Sequence, residues 1–275
     1  LKNKRAVGIH LRIENSYTEM LEQTIQFGAN ACQFFFMPQD TNKYLKLTDK
    51  DQEAFLALKH KHKTTVFAHS SYWINPASGN PASARASHRM LKQEIEIAKK
   101  LDINHIVMHA GSAKGHEKEA GIQAVATLLN TVLQDEKEIT ILIENTAHAG
   151  KTVCSNLEDF VALQSLLTTT NVKFCLDTAH AYSYGYDLKT TDLFLKLLEQ
   201  TMGLEHIKLI HLNNSAKPSG SKIDQHELPD QGLIGETVLQ NIINSPKLKT
   251  LPIIIEPPIV SLEELKKTVS HVRNW

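Results

Sequence analysis

A (β/α)8 barrel is the fold this sequence predicts, and three observations predict it. Eight short, largely β-branched apolar runs recur along the chain, at 6–10, 31–36, 64–69, 105–109, 139–144, 172–177, 206–211 and 252–256. Longer segments with helical patterning fall between them. The length, 275 residues, is close to the roughly 250 that eight such units need.

The runs are nearly continuous in apolar residues, as strands covered on both faces of a parallel sheet are. The helical segments carry start signals. Ser16 with Glu19 three residues on reads as a capping box opening a helix to Phe27. Thr48 caps a helix through Leu58, Asn156 one through Leu167, and Ser261 with Glu264 opens the last. Residues 75–86 and 213–231 are the least regular and read as long βα loops, which on a barrel surround the active site. No Pro/Gly/Ser-rich linker or shift in composition divides the chain, so one barrel domain over 1–275 is expected.

Lys plus Arg and Asp plus Glu number 30 each, so net charge alone points to no nucleic-acid partner, while leaving room for a local basic groove. The cysteines Cys32, Cys154 and Cys175 show no CxxC spacing and are expected as free thiols in a reducing compartment. No apolar stretch is long enough to span a bilayer. A monomeric cytoplasmic protein, nucleoid-associated if bacterial, without a membrane partner is the expectation.

Histidine is the abundant functional type, with 14 residues. Some, such as His60 and His62, fall in a Lys-rich helix end. Seven of the eight runs, however, end in a metal-ligand type: His10, His69, His109, Glu144, Asp177, His211 and Glu256. The second run, ending near Phe36, does not. All strand C-termini of a parallel barrel meet at one face, so these side chains converge. Burying them together without a cation would be costly. Two further motifs extend the set: Asp177-Thr-Ala-His180, and Asp224-Gln-His226 in the loop after His211. The candidate metal ligands are therefore His69, His109, Glu144, Asp177, His180, His211, Asp224, His226 and Glu256. Five imidazoles and four carboxylates without a thiolate suit zinc or manganese in a catalytic site. Nine ligands exceed what one ion takes and fit two or three ions sharing a carboxylate, an arrangement that hydrolyses phosphate esters.

These residues lie in stretches that resemble the endonuclease IV family of apurinic/apyrimidinic endonucleases: His69-Ser-Ser-Tyr72-Trp-Ile-Asn75, His109-Ala-Gly111-Ser112, Glu144-Asn145-Thr-Ala147, Asp177-Thr-Ala-His180 followed by Gly185-Tyr-Asp187, His211-Leu-Asn213, and Asp224-Gln-His226 with Ile234-Gly235. The resemblance runs over essentially the whole chain and implies a xylose-isomerase-like TIM barrel with three zinc ions, manganese being an option at one position. It assigns His69, His109 and Glu144 to one ion, Glu144, Asp177, His211 and Glu256 to a second, and His180, Asp224 and His226 to a third. Glu144 bridges, and Glu144 and Glu256 count as the catalytic carboxylates. The implied activity is cleavage of double-stranded DNA 5′ to an abasic site, leaving a 3′-hydroxyl, in base excision repair. The implied nucleophile is a hydroxide between the first two ions. Tyr72 stands where the family has an aromatic that reaches into DNA.

The sequence departs from the family at several DNA-contact positions. Asp40 and Asn42 stand near the family's Arg and Trp after the second strand, Gln225 replaces an Arg, and 147–151 replaces an Ala-Gly-Gln-Gly loop. An Asp at the Arg position would repel phosphate. Lys43, Lys46, Lys114, Lys151, Lys217 and Lys222 are the loop cations expected to compensate. Two other readings compete: a metal-dependent sugar isomerase or epimerase on a related barrel, and a non-cleaving nucleic-acid-binding paralogue.

Overall fold

The computed structural model describes residues 5–38, 41 and 43–275. Eight parallel strands close a barrel: β1 (Val7–Leu11), β2 (Ala31–Phe35), β3 (Thr65–His69), β4 (His105–His109), β5 (Thr140–Glu144), β6 (Val172–Asp177), β7 (Ile207–His211) and β10 (Ile253–Ile255), with β10 pairing both β1 and β7. Two short strands, β8 (Asn214–Ser215) and β9 (His226–Glu227), form a separate antiparallel pair. Every expected barrel strand is present, each within a residue or so of its expected bounds.

The helices are α1 (Tyr17–Gln26), α2 (Asp49–His62), α3 (Pro81–Lys100), α4 (Lys118–Val132), α5 (Glu158–Leu166), α6 (Thr178–Tyr184), α7 (Thr191–Thr201), α8 (Glu236–Ile243) and α9 (Leu262–Val272). They lay apolar faces on the outside of the barrel, where Met20, Leu91, Leu129, Phe160, Phe194, Leu239 and Val269 are buried. Among the described residues no helix is long and apolar enough to cross a membrane.

The expected caps hold in part. Ser261 and Glu264 make the full capping box. Ser16 accepts from the Glu19 amide, but the Glu19 carboxylate takes Asn15 Nδ2 instead of turning back to the Ser16 amide. The remaining first-turn amides of α1 are satisfied from outside: Asp51 of α2 accepts from the Tyr17 and Thr18 amides at 3.0 and 3.1 Å. Thr48 caps α2, which runs on past Leu58 to His62. Asn156 lies one residue before the cap of α5 and accepts from the Glu158 amide at 3.2 Å.

Neither long loop is structureless. Residues 75–86 are a loop only up to Asn80, whose side chain accepts from the amides of Ala82 and Ser83 and starts α3 with Pro81 in its first turn. Residues 213–231 contain the β8–β9 pair, which holds the Asp224-Gln-His226 segment against the barrel mouth. Cys32, Cys154 and Cys175 are buried free thiols.

Candidate metal centre

The strand period of two decides which side chains enter the barrel. One apolar residue from each of seven strands fills the interior: Ala31, Phe67, Val107, Leu142, Cys175, Leu209 and Ile254. On β1 the corresponding residue is Gly8, in register with Ala31 and Ile254. A Cβ there would fall 1.9 Å from the Ala31 carbonyl oxygen, so only glycine lets β1 and β2 close. Two residues further along each strand stand His10, Gln33, His69, His109, Glu144, Asp177, His211 and Glu256. A ring of polar side chains therefore sits on an apolar plug at the C-terminal face.

The ring converges on Glu144, which is fully buried. Its Oε2 lies 3.1 Å from His69 Nε2 and 3.0 Å from His109 Nε2; its Oε1 lies 2.9 Å from His211 Nδ1 and 3.2 Å from His180 Nδ1. Glu256 Oε2 is 3.3 Å from His211 Nδ1. Asp177 ends β6 and also caps α6 by accepting from the His180 amide at 2.6 Å, which fixes His180 one turn on. Asp224 spans His180 and His226, 3.2 Å from each Nε2.

Three groups have donor atoms within 4.8 Å of one another: His69, His109 and Glu144; Glu144, Asp177, His211 and Glu256; and Asp177, His180 and His226. The first two have the same members as the sets that the family resemblance implies. The third differs. It brings Asp177 beside His180 and His226 at 3.7 Å, while the expected Asp224 lies nearer, 3.2 Å from Nε2 of each, so two carboxylates, Glu144 and Asp177, are shared between groups.

The chemistry of the donors fits divalent ions. A ligating imidazole usually gives its other nitrogen to an oxygen acceptor, leaving one lone pair aimed at the metal. Here His69 Nδ1 faces the Ser70 carbonyl at 2.9 Å, His180 Nδ1 the Asn145 carbonyl at 2.8 Å, His226 Nδ1 the Glu256 carbonyl at 3.3 Å, and His211 Nε2 the Gln33 amide oxygen at 3.0 Å. Each interaction sets the tautomer that leaves the remaining nitrogen as an acceptor toward the cluster. Buried His226 Nε2 makes no hydrogen bond of acceptable geometry, although Asp224 Oδ1 is close.

Charge in the ring leans on the imidazoles. Burial works to raise the Glu144 carboxyl, but His211 and His109 outweigh it and hold it well below the usual range. Burial likewise opposes charge on His180 and His226, yet Asp177 and Asp224 raise both, His226 to about 9. This is an acidic cluster that demands positive charge.

Sequence reasoning missed the supporting amides. Gln33, the inward residue of the second strand, donates to Glu256 Oε1 at 3.0 Å and to His10 Nδ1 at 2.9 Å while accepting from His211. Counting back from the strand end to Phe36 hid it; a glutamine inside the run Ala31-Cys-Gln-Phe-Phe-Phe36 was the available signal. Asn213 donates to Asp177 Oδ2 and Glu256 Oε2 at 2.6 and 3.1 Å, and Asn145 exchanges two hydrogen bonds with the Asp177 backbone.

Tyr72 is 73% exposed, its ring 5.1 Å from that of Phe35 and 6.1 Å from that of His109. Trp73 beside it is also exposed. Two of the compensating lysines are already held by the chain: Lys151 pairs with Glu117 at 3.1 Å, and the Lys222 ammonium lies 3.3 Å over the Tyr184 ring. Asp40 and Asn42 lie outside the described residues.

Two cavities open on the cluster from either side of Tyr72 and Asp224, which line both. One, of about 270 Å³, is bounded by His69, His109, Ser112 and Lys114. The other, of about 350 Å³, is bounded by His10, Arg12, Phe35, His226 and Glu256.

A sequence model of the xylose isomerase-like TIM barrel family matches residues 21–275. A protein named probable endonuclease 4 from Akkermansia muciniphila is 34% identical over 274 residues, covering 98% of this chain and 99% of its own. Among solved structures, endonuclease IV from Thermus thermophilus superposes with a TM-score of 0.84 at 28% identity, over 98% of this chain and 97% of that one. A D-tagatose 3-epimerase-like protein shares the fold, with a TM-score of 0.75 at 17% identity over 98% of each chain.

Proposed function

Because the chain belongs to the endonuclease IV family of apurinic/apyrimidinic endonucleases, within the xylose isomerase-like TIM barrels, we propose that it is a zinc-dependent phosphodiesterase that cuts duplex DNA 5′ to abasic sites and leaves a 3′-hydroxyl. The observation that carries this reading is the size of the convergent donor set, three overlapping groups around Glu144. His69, His109 and Glu144 would hold one ion. Glu144, Asp177, His211 and Glu256 would hold a second. His180 and His226, with Asp177 and Asp224, would hold a third. Zinc there would supply a water acidic enough to be deprotonated at neutral pH and positive charge for the attacking and leaving oxygens.

The chain's own residues do the rest. Glu144 has no exposure and shares both oxygens among four imidazoles, so it acts as a bridge within the cluster and not as a base open to solvent. The accessible edge consists of His109, Glu256, His226 and Asp224, with side chains 25%, 17%, 15% and 31% exposed. A phosphate diester reaches the cluster over that edge, its chain running from one cavity to the other past Tyr72. The exposed faces of Tyr72 and Trp73 suit stacking against a nucleobase or filling the gap an abasic site leaves. A sugar epimerase would use Glu144, Asp177, His211 and Glu256 and leave His69, His109, Asp224 and His226 without a task.

The test is cleavage of an end-labelled duplex carrying one abasic site, with protein purified without chelator beside Glu144→Gln. Nicking on the 5′ side of the site, near three zinc per chain, and loss of nicking in the variant are expected. A zinc-loaded wild type that leaves the duplex intact would overturn the proposal.

A further inference from the structure

The two cavities flanking the cluster each carry one Arg or Lys side chain on their walls, Arg12 in one and Lys114 in the other. Both side chains are exposed at the mouth. Their surroundings contrast with those of Lys151 and Lys222, whose ammonium groups are engaged by Glu117 and by Tyr184. Both cavities share Tyr72 and Asp224 as a common wall, so a chain passing through both crosses the accessible edge of the cluster between the two cations.

From this arrangement we infer that Arg12 and Lys114 are the backbone-holding cations of this protein. Each binds a phosphate flanking the one that sits on the cluster, Arg12 on the His10–Glu256 side and Lys114 on the His69–His109 side. The inference rests on the phosphodiesterase reading above and adds the residues that position its substrate. A guanidinium offers a two-pronged hydrogen-bonding edge to phosphate, and an ammonium offers a point charge. A nucleic-acid backbone, which places a phosphate at every nucleotide, is the ligand two such cations on either side of a reactive centre fit. A small sugar has no anion for either. Neither residue touches the ligand set through a hydrogen bond among the described residues, so both act on binding and register instead of on the bond being broken.

The test uses the zinc-loaded protein, an abasic duplex, and the variants Arg12→Ala, Lys114→Ala, Arg12→Lys and Lys151→Ala. Binding is read by fluorescence anisotropy across a salt series, and nicking by steady-state kinetics. Each alanine variant should raise Kd and KM by roughly tenfold and reduce the slope of log K against log salt by about one. kcat at saturating duplex should stay within a few-fold of wild type. Arg12→Lys should restore the salt slope, and Lys151→Ala should behave as wild type. An alanine variant with wild-type affinity and slope overturns the inference. So does one that loses kcat with KM and slope unchanged, which would mark a part in the chemical step. A wild type that neither binds nor nicks the duplex removes the underlying reading as well; one that nicks while both alanine variants match it sinks only the present inference.

Discussion

Gln33 shows how much a single side chain fixes at this site. Its amide hydrogens go to Glu256 and His10, and its carbonyl oxygen takes the His211 Nε2 proton. With both ends committed, the amide can adopt only one orientation, and His211 is held with Nδ1 free to face the cluster. Gln33→Ala should therefore weaken divalent-metal binding by roughly 10- to 100-fold while leaving far-UV circular dichroism unchanged. Competition with a chromophoric chelator measures this, and an unaltered affinity would show that His211 needs no such support. The nine ligand candidates were legible in the sequence because histidines and carboxylates are conspicuous at the ends of apolar runs. Gln33, Asn145 and Asn213 were not, since a neutral amide declares no chemistry until its partners are known. The approach of Asp177 to His226, 3.7 Å from its Nε2, was equally hidden: it depends on how far the loop carrying His226 folds inward, which spacing does not encode.

Among the elements, the strands were the most legible. Burial on both faces leaves a composition that survives without any pattern, and each barrel strand was found on that ground. What the runs concealed was their inward register. Two residues back from His69, His109 and Glu144 stand the plug residues Phe67, Val107 and Leu142; on the second strand the plug residue is Ala31, and two residues on from it stands Gln33. Loops were read less well, because their order comes from contacts distant in sequence. The β3–α3 and β4–α4 loops are joined by Asn75, whose Oδ1 accepts from the Ser112 amide at 2.9 Å and whose Nδ2 donates to the Ser112 carbonyl at 3.1 Å. Gly111 makes room for this clasp. It has φ of +83°, and a Cβ would meet Asn75 Oδ1 at 2.1 Å. Gly111→Ala should cost about 1–3 kcal/mol, read as a lowered urea midpoint, and should disturb the cavity bounded by Lys114. A variant as stable as wild type would mean the clasp is dispensable.

Across the whole molecule, two buried acids lie outside the cluster among the described residues: Asp159, which pairs with Lys118, and Glu94, which has no such cation. Glu94, on α3, accepts from the Ser71 amide at 3.1 Å and from the Tyr44 hydroxyl at 3.3 Å, and its other oxygen has no partner among the described residues. Burial pushes its carboxyl up from 4.5 to about 8, more than these two hydrogen bonds recover. In the unfolded chain it ionises near its ordinary value, so between the two values the folded state binds the extra proton. Stability then falls as pH rises from about 4.5 to about 8, by up to about 1.4 kcal/mol per pH unit, and the effect levels off above. Glu94→Gln keeps the acceptor for Ser71 and removes the titration. Its stability relative to wild type, from urea melts, should be near zero at pH 5 and clearly favourable at pH 8. Taking the difference cancels the titrating cluster, which Glu94 does not touch. Parallel profiles for the two proteins would refute the assignment.

The plug beneath the cluster has a consequence of its own. Ala31, Phe67, Val107, Leu142, Cys175, Leu209 and Ile254 close the barrel with dry side chains, so the site has a floor, and both cavities open on it from the rim. Ions bound there would load after the barrel has closed, or be trapped as it closes, and whatever lies across the rim would govern their traffic. A duplex seated over both cavities would cork that rim, so the substrate would also be the guard of the metals, and the idle protein the form most easily stripped by a chelator.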